Sequence, residues 1–509
     1  MSSILVIAVP ILQTNQTPYG PAVVSGILRQ AGHETSVWDM NIDLYHHFRN
    51  EWNEIVDVFA LRAVRGQDSH SKIMRRVLRY MRKQIRSRLA DPNLDAVLLS
   101  VFSSHSLDAM IPITAYIREY RPDLYVLAGG RGLDNIEKTT GLAYADYYAR
   151  YLPVNCWYVG DAENNLVSVL TQRHQGVFKS PPVAGKDIES VPPADWTGYD
   201  FTRYEGYATD SIRMPITGSK GCVRQCTFCD VASSWPKFVF RKGSDIGREL
   251  IDTYQRTGIR KFEFTDNLVN GSITNFREMN NTVVSELPDT LDYIGYAICR
   301  PRNEFPKSDF ELARRAGASM FKVGIESGSE KVRHDMKKKF SNDDINWFAE
   351  NCYDQGIRQL WLMFVGYPSE SEQDFQDSLR LLERHRHLSH DGMVTVFLSL
   401  PMMLLTGSGF MRRYGEEYGL MHNTDDPLSD FFWTSHKYQD NTFQIRVDRW
   451  RRFIDAIYKY GFDDQTTRQA EKFLEIEGVE KTYRELYKDG KRIIPINTLT
   501  PHINKETHV

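Results

Sequence analysis

The sequence predicts an α/β protein with two domains of alternating strands and helices, followed by a mostly helical C-terminal region. The chain of 509 residues exceeds what one hydrophobic core normally organises. Short apolar runs alternate with segments of helical period in both parts, which indicates parallel sheets. A Pro- and Gly-rich segment without apolar period lies between them. The predicted parts are a first domain at 1–177, a linker at 178–204, a second domain at 205–401 and the helical region at 402–509.

The first domain is expected to be a doubly wound sheet of the flavodoxin-like (Rossmann-like) type. Apolar runs separated by helix-length segments predict its strands. These runs are ILVIAVP (4–10), ETSVWDM (34–40), LDAVLLSVFSS (94–104), LYVLAGG (124–130) and CWYVGDAE (156–163). No G-x-G-x-x-G sequence follows a predicted strand, so a dinucleotide site is not expected.

The second domain is expected to have six parallel strands, each followed by a helix-length segment. Its predicted strands are MPITGS (214–219), KFEFTDN (261–267), YIGYAICR (293–300), MFKVGIES (320–327), QLWLMFVGYP (359–368) and MVTVFLSLP (393–401). Active sites of parallel barrels form at the carboxyl ends of the strands. Polar residues stand at these ends: Thr265, Asp266, Asn267, Arg300, Glu326 and Ser327.

The composition is that of a globular protein, with 41% hydrophobic and 25% charged residues and a net charge of -3. This balance gives no electrostatic reason to expect nucleic acid as a partner. No apolar run approaches the roughly 18 residues of a membrane span. The opening MSSILVIAVPIL lacks a basic region and a cleavage site, and it is interpreted as a buried strand. Cysteines are sparse, which favours a reducing, cytoplasmic compartment.

Three cysteines lie close together in the stretch ITGSKGCVRQCTFCDVA, with the spacing C-x3-C-x2-C. They are Cys222, Cys226 and Cys229. A structural zinc site normally needs four ligands, and the nearest histidines, His174 and His334, are far away in sequence. A zinc site completed by a distant ligand and three plain structural thiols both remain alternatives. Clustered soft thiolates also hold iron–sulfur clusters.

The pattern C-x3-C-x-Φ-C, with Phe228 as the aromatic residue, resembles the signature of radical S-adenosylmethionine (SAM) enzymes. The resemblance implies that the second domain is a partial (β/α)6 barrel. It also implies that Cys222, Cys226 and Cys229 hold a [4Fe–4S] cluster and leave one iron open. In that family the amine and carboxylate of SAM chelate the open iron. An electron from the cluster then cleaves SAM to a 5'-deoxyadenosyl radical.

Other segments of the second domain resemble the same family. FTDN (264–267) stands where the family has the Gly-Gly-Glu loop that contacts the SAM amine, and VGIESGSEKVRHDMKKK (323–339) and FVGYPSESEQDF (364–375) resemble segments of its cobalamin-dependent branches. Plain turn chemistry would also explain the glycines of these segments. The resemblance implies SAM contacts from Phe228, Asp266, Asn267, Arg300, Glu326 and Ser327.

The first domain resembles the cobalamin-binding domain found in front of many radical SAM cores, as in class B enzymes. The segments PYGPAVVSGILRQAGHETSVWDMN, DAVLLSVFSSHS and YVGDAENNL support this resemblance. The D-x-H-x-x-G histidine of cobalamin mutases is missing, so the resemblance implies a base-off corrin without a histidine under the cobalt. The implied contacts are Tyr19, Gly20, Ser100, Ser103, Ser104, His105, Gly129, Gly130, Asp161 and Glu163. His105 is a candidate lower ligand or only a polar contact, and a purely structural domain without corrinoid is the alternative.

Two further regions have no clear motif. The insertion 43–93 is rich in Arg and His, and its stretch RAVRGQDSHSK (62–72) is interpreted either as a shield of the cofactor or as a solvated helix pair. In the C-terminal region, RVDRWRRFIDAIYKYG (446–461) and TTRQAEKFLEIEGVEKTYRELYKDG (466–490) predict amphipathic helices.

The resemblance implies a cobalamin-dependent radical SAM methyltransferase that acts on an unactivated carbon or on phosphorus. A cobalamin-free cyclase, oxidoreductase or rearrangement enzyme is the second hypothesis, and a zinc-bound, non-catalytic binding protein is the third. The expected partners are a small-molecule or peptide substrate and an electron donor of the flavodoxin or ferredoxin type. The expected cofactors are the [4Fe–4S] cluster, SAM and cobalamin.

Overall fold

The structure is a computed structural model, and it describes residues 2–56, 72–133, 153–404, 408–421 and 432–464. The chain divides into two compact units. The first unit comprises the described part of Met1–Val183 together with Ser190–Ile212. The second unit comprises Ala184–Glu189 and the described part of Arg213–Glu485. Each unit is built around a parallel sheet of its own.

The sheet of the first unit has six parallel strands in the order β2-β1-β3-β4-β5-β6. This is the strand order of flavodoxin-like folds with one strand added at the edge. The strands are β1 (Ser3–Ala8), β2 (Glu34–Asp39), β3 (Leu94–Ser100), β4 (Tyr125–Gly129), β5 (Cys156–Val159) and β6 (Gly176–Lys179). The five predicted strands are confirmed. Strand β6 was not predicted, and it crosses the proposed boundary at residue 177.

Helices cover both faces of this sheet because its central strands are apolar on both sides. The helices are α1 (Tyr19–Gln30), α2 (Met40–His47), α3 (Lys72–Arg88), α4 (Ser104–Tyr120), α5 (Ala162–Thr171) and the short α6 (Glu205–Ala208). Strand β1 is buried from its second residue to its last. One apolar layer includes the buried side of α3, and the other includes α1 and α5. Lys72 is the only residue of the stretch 62–72 within the described ranges.

The main sheet of the second unit has seven parallel strands in the order β17-β14-β13-β12-β11-β10-β7. Its strands are β7 (Met214–Ile216), β10 (Lys261–Phe264), β11 (Asp292–Ala297), β12 (Ala318–Glu326), β13 (Arg358–Met363), β14 (Val394–Leu398) and β17 (Asp463–Asp464). Two small antiparallel pairs join β8 (Ser219–Lys220) to β9 (Val239–Phe240) and β15 (Leu420–Met421) to β16 (Thr434–Ser435). All six predicted barrel strands are confirmed in the predicted order.

The helices of the second unit mostly connect successive strands, as parallel pairing requires. They are α7 (Val231–Ser234), α8 (Gly243–Thr257), α9 (Ile273–Glu286), α10 (Lys307–Arg315), α11 (Glu330–Asp335), α12 (Asn342–Asp354), α13 (Glu372–Arg384), α14 (Gly409–Tyr414) and α15 (Phe443–Lys459). In the two units together, short 3-10 helices cover Arg49–Glu51, Gly185–Ser190, Phe201–Arg203 and Arg386–Gly392. Capping boxes start α12 at Ser341 and α13 at Ser371.

The described part of the C-terminal region contains the helices α14 and α15 and the short strands β15, β16 and β17. Helix α15 confirms the amphipathic helix predicted from 446 to 461. The second predicted helix, 466–490, lies outside the described residues. The exact domain boundaries at 177, 204 and 401 stay predictions. In the described part of the chain, none of the helices combines the length and apolar character that a bilayer span requires.

Candidate active site

The cysteine loop runs from β8 to α7, beyond the carboxyl end of β7. Cys222, Cys226 and Cys229 are free thiols and half-buried. Burial raises the pKa of Cys226 to about 11 and also raises the pKa of Cys222 and Cys229. As thiols these groups are therefore protonated near neutral pH, and a bound cation is what would favour their thiolate forms.

The beginning of the loop is fixed by Asp266 and Asn267, which follow β10. Asp266 Oδ1 accepts a hydrogen bond from the Gly218 N–H at 2.7 Å, and Oδ2 accepts one from the Ser219 hydroxyl at 2.5 Å. Asn267 Nδ2 donates to the Gly221 carbonyl at 3.0 Å. Both side chains were predicted to contact SAM. They hold the entry of the cysteine loop, and their SAM contacts stay predictions.

The middle of the loop is held through Thr227, whose side chain is 2% exposed. Its N–H donates to the Met336 carbonyl at 3.1 Å. Its hydroxyl lies 2.8 Å from Tyr367 Oη, which in turn lies 2.8 Å from Tyr418 Oη. This buried chain of hydroxyl groups ties the loop to the turn after β13 and to the segment after α14. The loop is thereby held in place from two directions.

A buried ion pair lies beside the loop. Lys338 is 8% exposed, and its Nζ donates to Glu326 Oε1 at 2.9 Å and to the Gly324 carbonyl at 2.7 Å. The same Nζ lies 5.5 Å from the centre of the Phe228 ring. In the sequence, Phe228 stands between Cys226 and Cys229. Burial acts to lower the pKa of Lys338, but Glu326 and the thiols outweigh it and raise the pKa. Lys338 therefore presents a permanent positive charge to the cysteine loop.

Glycine is needed at position 324 to make room for this pair. A β-carbon on Gly324 would lie 2.6 Å from Glu326 Oε1 and 2.9 Å from Lys338 Nζ. Glu326 ends β12 with a φ of 68°, in the left-handed region that non-glycine residues seldom adopt. Such backbone strain in a barrel strand end is typical of residues with a functional role.

We expect the substitution Lys338→Met to lower the reduction potential of the cluster by an amount on the order of tens of millivolts. A positive charge near a cluster stabilises its reduced, more negative form. A methionine of similar length removes that charge together with the hydrogen bonds to Glu326 and Gly324. The measurement is a redox titration followed by electron paramagnetic resonance. Lys337→Met is the matched control, since Lys337 is an exposed neighbour that contacts Tyr414. Equal potentials in both variants would contradict the expectation.

Two predicted SAM-binding residues are occupied by contacts within the chain. Ser327 is fully buried, and its Oγ accepts a hydrogen bond from the Ser329 N–H at 3.2 Å. Arg300 donates to the carbonyls of Asn270 and Gly271 at 3.0 and 2.6 Å. Both residues stabilise strand ends of the barrel. Their contacts with SAM stay predictions.

One side of the cysteine loop packs against apolar side chains. Phe228 packs edge-on against Phe364, with ring centres 5.4 Å apart. Both rings contact a buried cluster that includes Met336, Tyr367 and Trp433. This packing keeps water away from one side of the cysteines, as radical chemistry requires.

Sequence reasoning missed three residues of this site: Thr227, Lys338 and Tyr367. Lys338 lies in the segment 323–339, which carries part of the family resemblance, so a signal was present. Tyr367 lies in the turn of the segment 364–375, and Thr227 lies between two of the cysteines. No sequence pattern indicates Tyr418, which reaches the site only through tertiary contacts.

Among the residues that the structure describes, no group of three His, Cys, Asp or Glu side chains is arranged around one metal ion. A cube-shaped cluster places a different iron at each thiolate, and it does not need such convergence. The free thiols, the adjoining ammonium group and the apolar packing fit a [4Fe–4S] cluster.

The first unit has a second candidate site at the carboxyl edge of its sheet. Ser100 and Gly129 end β3 and β4, and Gly20 lies so close that a β-carbon there would be 3.0 Å from Ser100 Oγ. Tyr19 stacks against Trp196 at 6.3 Å between ring centres. The sheet thus brings together residues from three predicted segments, as doubly wound folds do at their ligand sites.

An exposed aromatic residue marks this edge. The side chain of Phe102, two residues after β3, is 65% exposed. Next to it, Gly130 has a φ of 120°, and a β-carbon there would overlap the Val101 carbonyl. The missing side chain of Gly130 lets the two loops pack closely, and Gly130 itself is exposed at the same edge as the apolar ring. A large, partly apolar ligand such as a corrin fits this surface.

The remaining predicted residues of this edge lie around it. Ser103 Oγ is 3.4 Å from Ser106 Oγ. Ser104 and His105 lie in the first turn of α4, and their side chains lie outside the description. Asp161 Oδ2 accepts a hydrogen bond from the Val183 N–H at 2.9 Å, and Glu163 lies in the first turn of α5. Their contacts with cobalamin stay predictions.

Comparison with known proteins identifies the second unit. Residues 216–382 match the radical SAM superfamily. A putative methylthiotransferase of Methanocaldococcus jannaschii is 24% identical over 169 residues, which are 31% of this chain and 36% of that protein. Cytidylyl-2-hydroxyethylphosphonate methyltransferase of Streptomyces wedmorensis is 23% identical over 184 residues, 34% of each chain. The matched segments thus span only about a third of these relatives.

Solved structures resemble the chain over most of its length. The radical SAM methyltransferase TsrM from Kitasatospora setae, solved with cobalamin and a [4Fe–4S] cluster, matches with a TM-score of 0.61 at 14% identity, covering 90% of this chain and 88% of that one. The cobalamin-dependent SAM radical enzyme OxsB matches with a TM-score of 0.60 at 13% identity, covering 95% and 70%. Residues 216–382 are therefore a radical SAM domain, and the chain has the fold of these two cobalamin-dependent enzymes.

Proposed function

We propose that this protein is a cobalamin-dependent radical SAM methyltransferase that acts on an unactivated carbon or on phosphorus. The observation that supports it most is the likeness of fold to TsrM, which extends over 90% of the chain and so includes both candidate sites. The methyltransferase of Streptomyces wedmorensis supports the same reaction class. The substrate is a small molecule or a peptide.

Cys222, Cys226 and Cys229 would hold the cluster. When bound, the cluster and SAM supply reductive cleavage chemistry that no protein side chain offers. The chain's own part is to bind and orient. Asp266 and Thr227 hold the cysteine loop in place. Lys338 offsets negative charge there, and the rings of Phe228 and Phe364 exclude water. An electron donor of the flavodoxin or ferredoxin type in the cytoplasm would supply the electron.

Cobalamin would lie at the carboxyl edge of the first sheet. Phe102 offers an apolar face, and Gly130 is exposed at the same edge. Ser100 and Ser103 offer hydroxyl groups at the same edge. When bound, cobalamin supplies a transferable methyl group.

A cobalamin-free radical reaction, such as a ring closure, an oxidation or a rearrangement, is the second candidate. It is favoured by one observation: two predicted cobalamin contacts already have partners in the chain. Asp161 accepts a hydrogen bond from Val183, and Tyr19 stacks on Trp196. The first unit would then be a structural domain.

The test is the amount of bound corrinoid relative to iron, measured by visible absorption on protein purified without oxygen from cells supplied with cobalamin. We expect near-stoichiometric corrinoid beside about four irons per chain. Iron without corrinoid, even after incubation with cobalamin, would favour the cobalamin-free candidate. Zinc without iron and sulfide would contradict both.

The variant Phe102→Asp tests whether the corrinoid binds against Phe102. We expect it to lose most of its bound corrinoid and keep its iron, because a carboxylate replaces the apolar face. Its stability should change little, since the ring is exposed. Tyr207→Asp is the control, because Tyr207 is 47% exposed in the same unit and is not one of the predicted cobalamin contacts. Equal corrinoid in both variants would mean that the cofactor does not lie on Phe102.

A further inference from the structure

Helix α3 has an unusual distribution of charge. Its sequence KIMRRVLRYMRKQIRSR contains eight lysines and arginines and no acidic residue. Five apolar residues are buried against the core of the first unit: Ile73, Met74, Val77, Met81 and Ile85. All eight basic residues are exposed.

The charges lie on one face of the helix. At about 3.6 residues per turn, all basic residues except Arg88 fall within an arc of about 120°. The buried residues occupy the opposite arc. We call this surface the cationic face of α3: Lys72, Arg75, Arg76, Arg79, Arg82, Lys83 and Arg86. The apolar side anchors the helix, and the cationic face is left open to solvent.

Neighbouring carboxylates neutralise this face only in part. Arg76 pairs with Glu51, and Arg82 pairs with Glu119. Within the described ranges, no ion pair joins Arg79, Lys83 or Arg86 to a carboxylate. The chain as a whole has a net charge of -3, so this concentration of positive charge is local. A surface of this kind attracts polyanions.

The chemistry of the face favours the phosphate backbone of a nucleic acid. Arg79, Arg82 and Arg86 follow each other at three or four residues, a rise of about 4.5 to 6 Å, which suits evenly spaced phosphates. Arginine also binds phosphate through two hydrogen bonds at once. The guanidinium groups of Arg82 and Arg86 lie 5.9 and 5.6 Å from the centre of the Tyr120 ring, which restricts their motion.

Two other polyanions fit less well. An interfacial membrane helix inserts its apolar face into lipid, and the apolar face of α3 is buried in the protein. An acidic peptide is normally recognised by charges together with apolar pockets, and the cationic face has no apolar residue within its arc.

We propose that the cationic face of α3 binds the phosphate backbone of a single-stranded nucleic acid. This departs from the expectation drawn from net charge, which averages over the whole chain and hides a local surface. The binding is independent of the radical chemistry of the second unit. It gives the protein an additional interaction surface.

The experiment measures the fluorescence anisotropy of labelled 20-nucleotide single-stranded RNA and DNA of mixed sequence, from 50 to 300 mM salt, with the full chain. The variant is R79Q/K83Q/R86Q, because glutamine keeps helix propensity. The control is R256Q/R314Q/R384Q, which removes the same charge from exposed sites of the second unit. We expect at least about tenfold weaker binding in the variant only. For this variant, the slope of log affinity against log salt concentration should become less steep by about two.

The other outcomes overturn the proposal. These are no binding by the natural protein at 50 mM salt, equal loss in the control variant, or unchanged binding in R79Q/K83Q/R86Q. Equal affinity for a polyglutamate peptide of the same charge would point to an acidic protein partner instead. Tighter binding of RNA than DNA would identify the kind of strand, and equal binding would support recognition of the backbone alone. Circular dichroism checks that the variant is folded.

Discussion

Replacing Cys226 by alanine is expected to abolish both cluster binding and SAM cleavage. The cluster has three protein ligands at most, and the loss of one leaves two thiolates, which cannot hold it stably. The loop itself should keep its shape. Its fixed points are Thr227 and Asp266, and neither contacts the Cys226 thiol through a hydrogen bond in the described structure. The measurements are iron and sulfide content and the release of 5'-deoxyadenosine.

Cys352→Ala is the matched control. Cys352 is a fully buried free thiol of the same unit, on helix α12. Its removal costs only packing, roughly 1 kcal/mol, and should leave iron content unchanged. If Cys226→Ala kept full iron and normal SAM cleavage, the assignment of the cluster to this loop would be wrong.

The second large effect is expected at Asp266 and depends on pH. Burial raises the pKa of Asp266 to about 7, although the hydrogen bonds from Ser219 and Gly218 act to lower it. In the unfolded chain the pKa is near 3.8. Between these values the folded protein holds a proton that the unfolded chain has released. The free energy of unfolding therefore falls as the pH rises from about 4 to 7, by a few kcal/mol.

Asp266→Asn should remove this dependence. Its amide oxygen can accept from the Gly218 N–H, and its NH2 group can donate to Ser219 Oγ. We expect the difference in free energy of unfolding, variant minus natural protein, to be larger at pH 8 than at pH 5. Urea unfolding of both proteins at the two pH values measures this difference.

Asp374→Asn separates this effect from a general loss of a buried carboxylate. Against the effect of burial, hydrogen bonds from Lys331 and Ser371 lower the pKa of Asp374 to about 2. It is therefore ionised in both states between pH 5 and 8. Its substitution should destabilise the protein by the same amount at both pH values. An equal pH response in the two variants would contradict a raised pKa at Asp266.

Much of the fold was predictable because parallel strands buried on both faces are continuous apolar runs. Strands such as β1 and β4 stand out from polar surroundings for this reason. Strand β6 escaped prediction because it lies at the edge of its sheet and its residues are exposed or only half-buried. Its pairing with β5 creates the strand, and no local pattern announces it.

The candidate site was predictable where chemistry depends on spacing along the chain. The three cysteines lie within eight positions, so their proximity needed no tertiary information. The functions of single polar side chains were not predictable in the same way. Asp266 and Ser327 turned out to bond to the chain itself, because a buried polar group takes whichever partner the fold supplies.

The sequence by itself determined the order of strands and helices, the cysteine loop and the family resemblance, since each depends on residues that are close in the chain. Only the tertiary structure decided that Lys338 and Glu326 pair beside Phe228, that Tyr418 reaches Thr227 through Tyr367, and that α3 leaves its charges uncovered. These contacts join residues that the chain separates. Their energies depend on burial and distance, which exist only once the chain has folded.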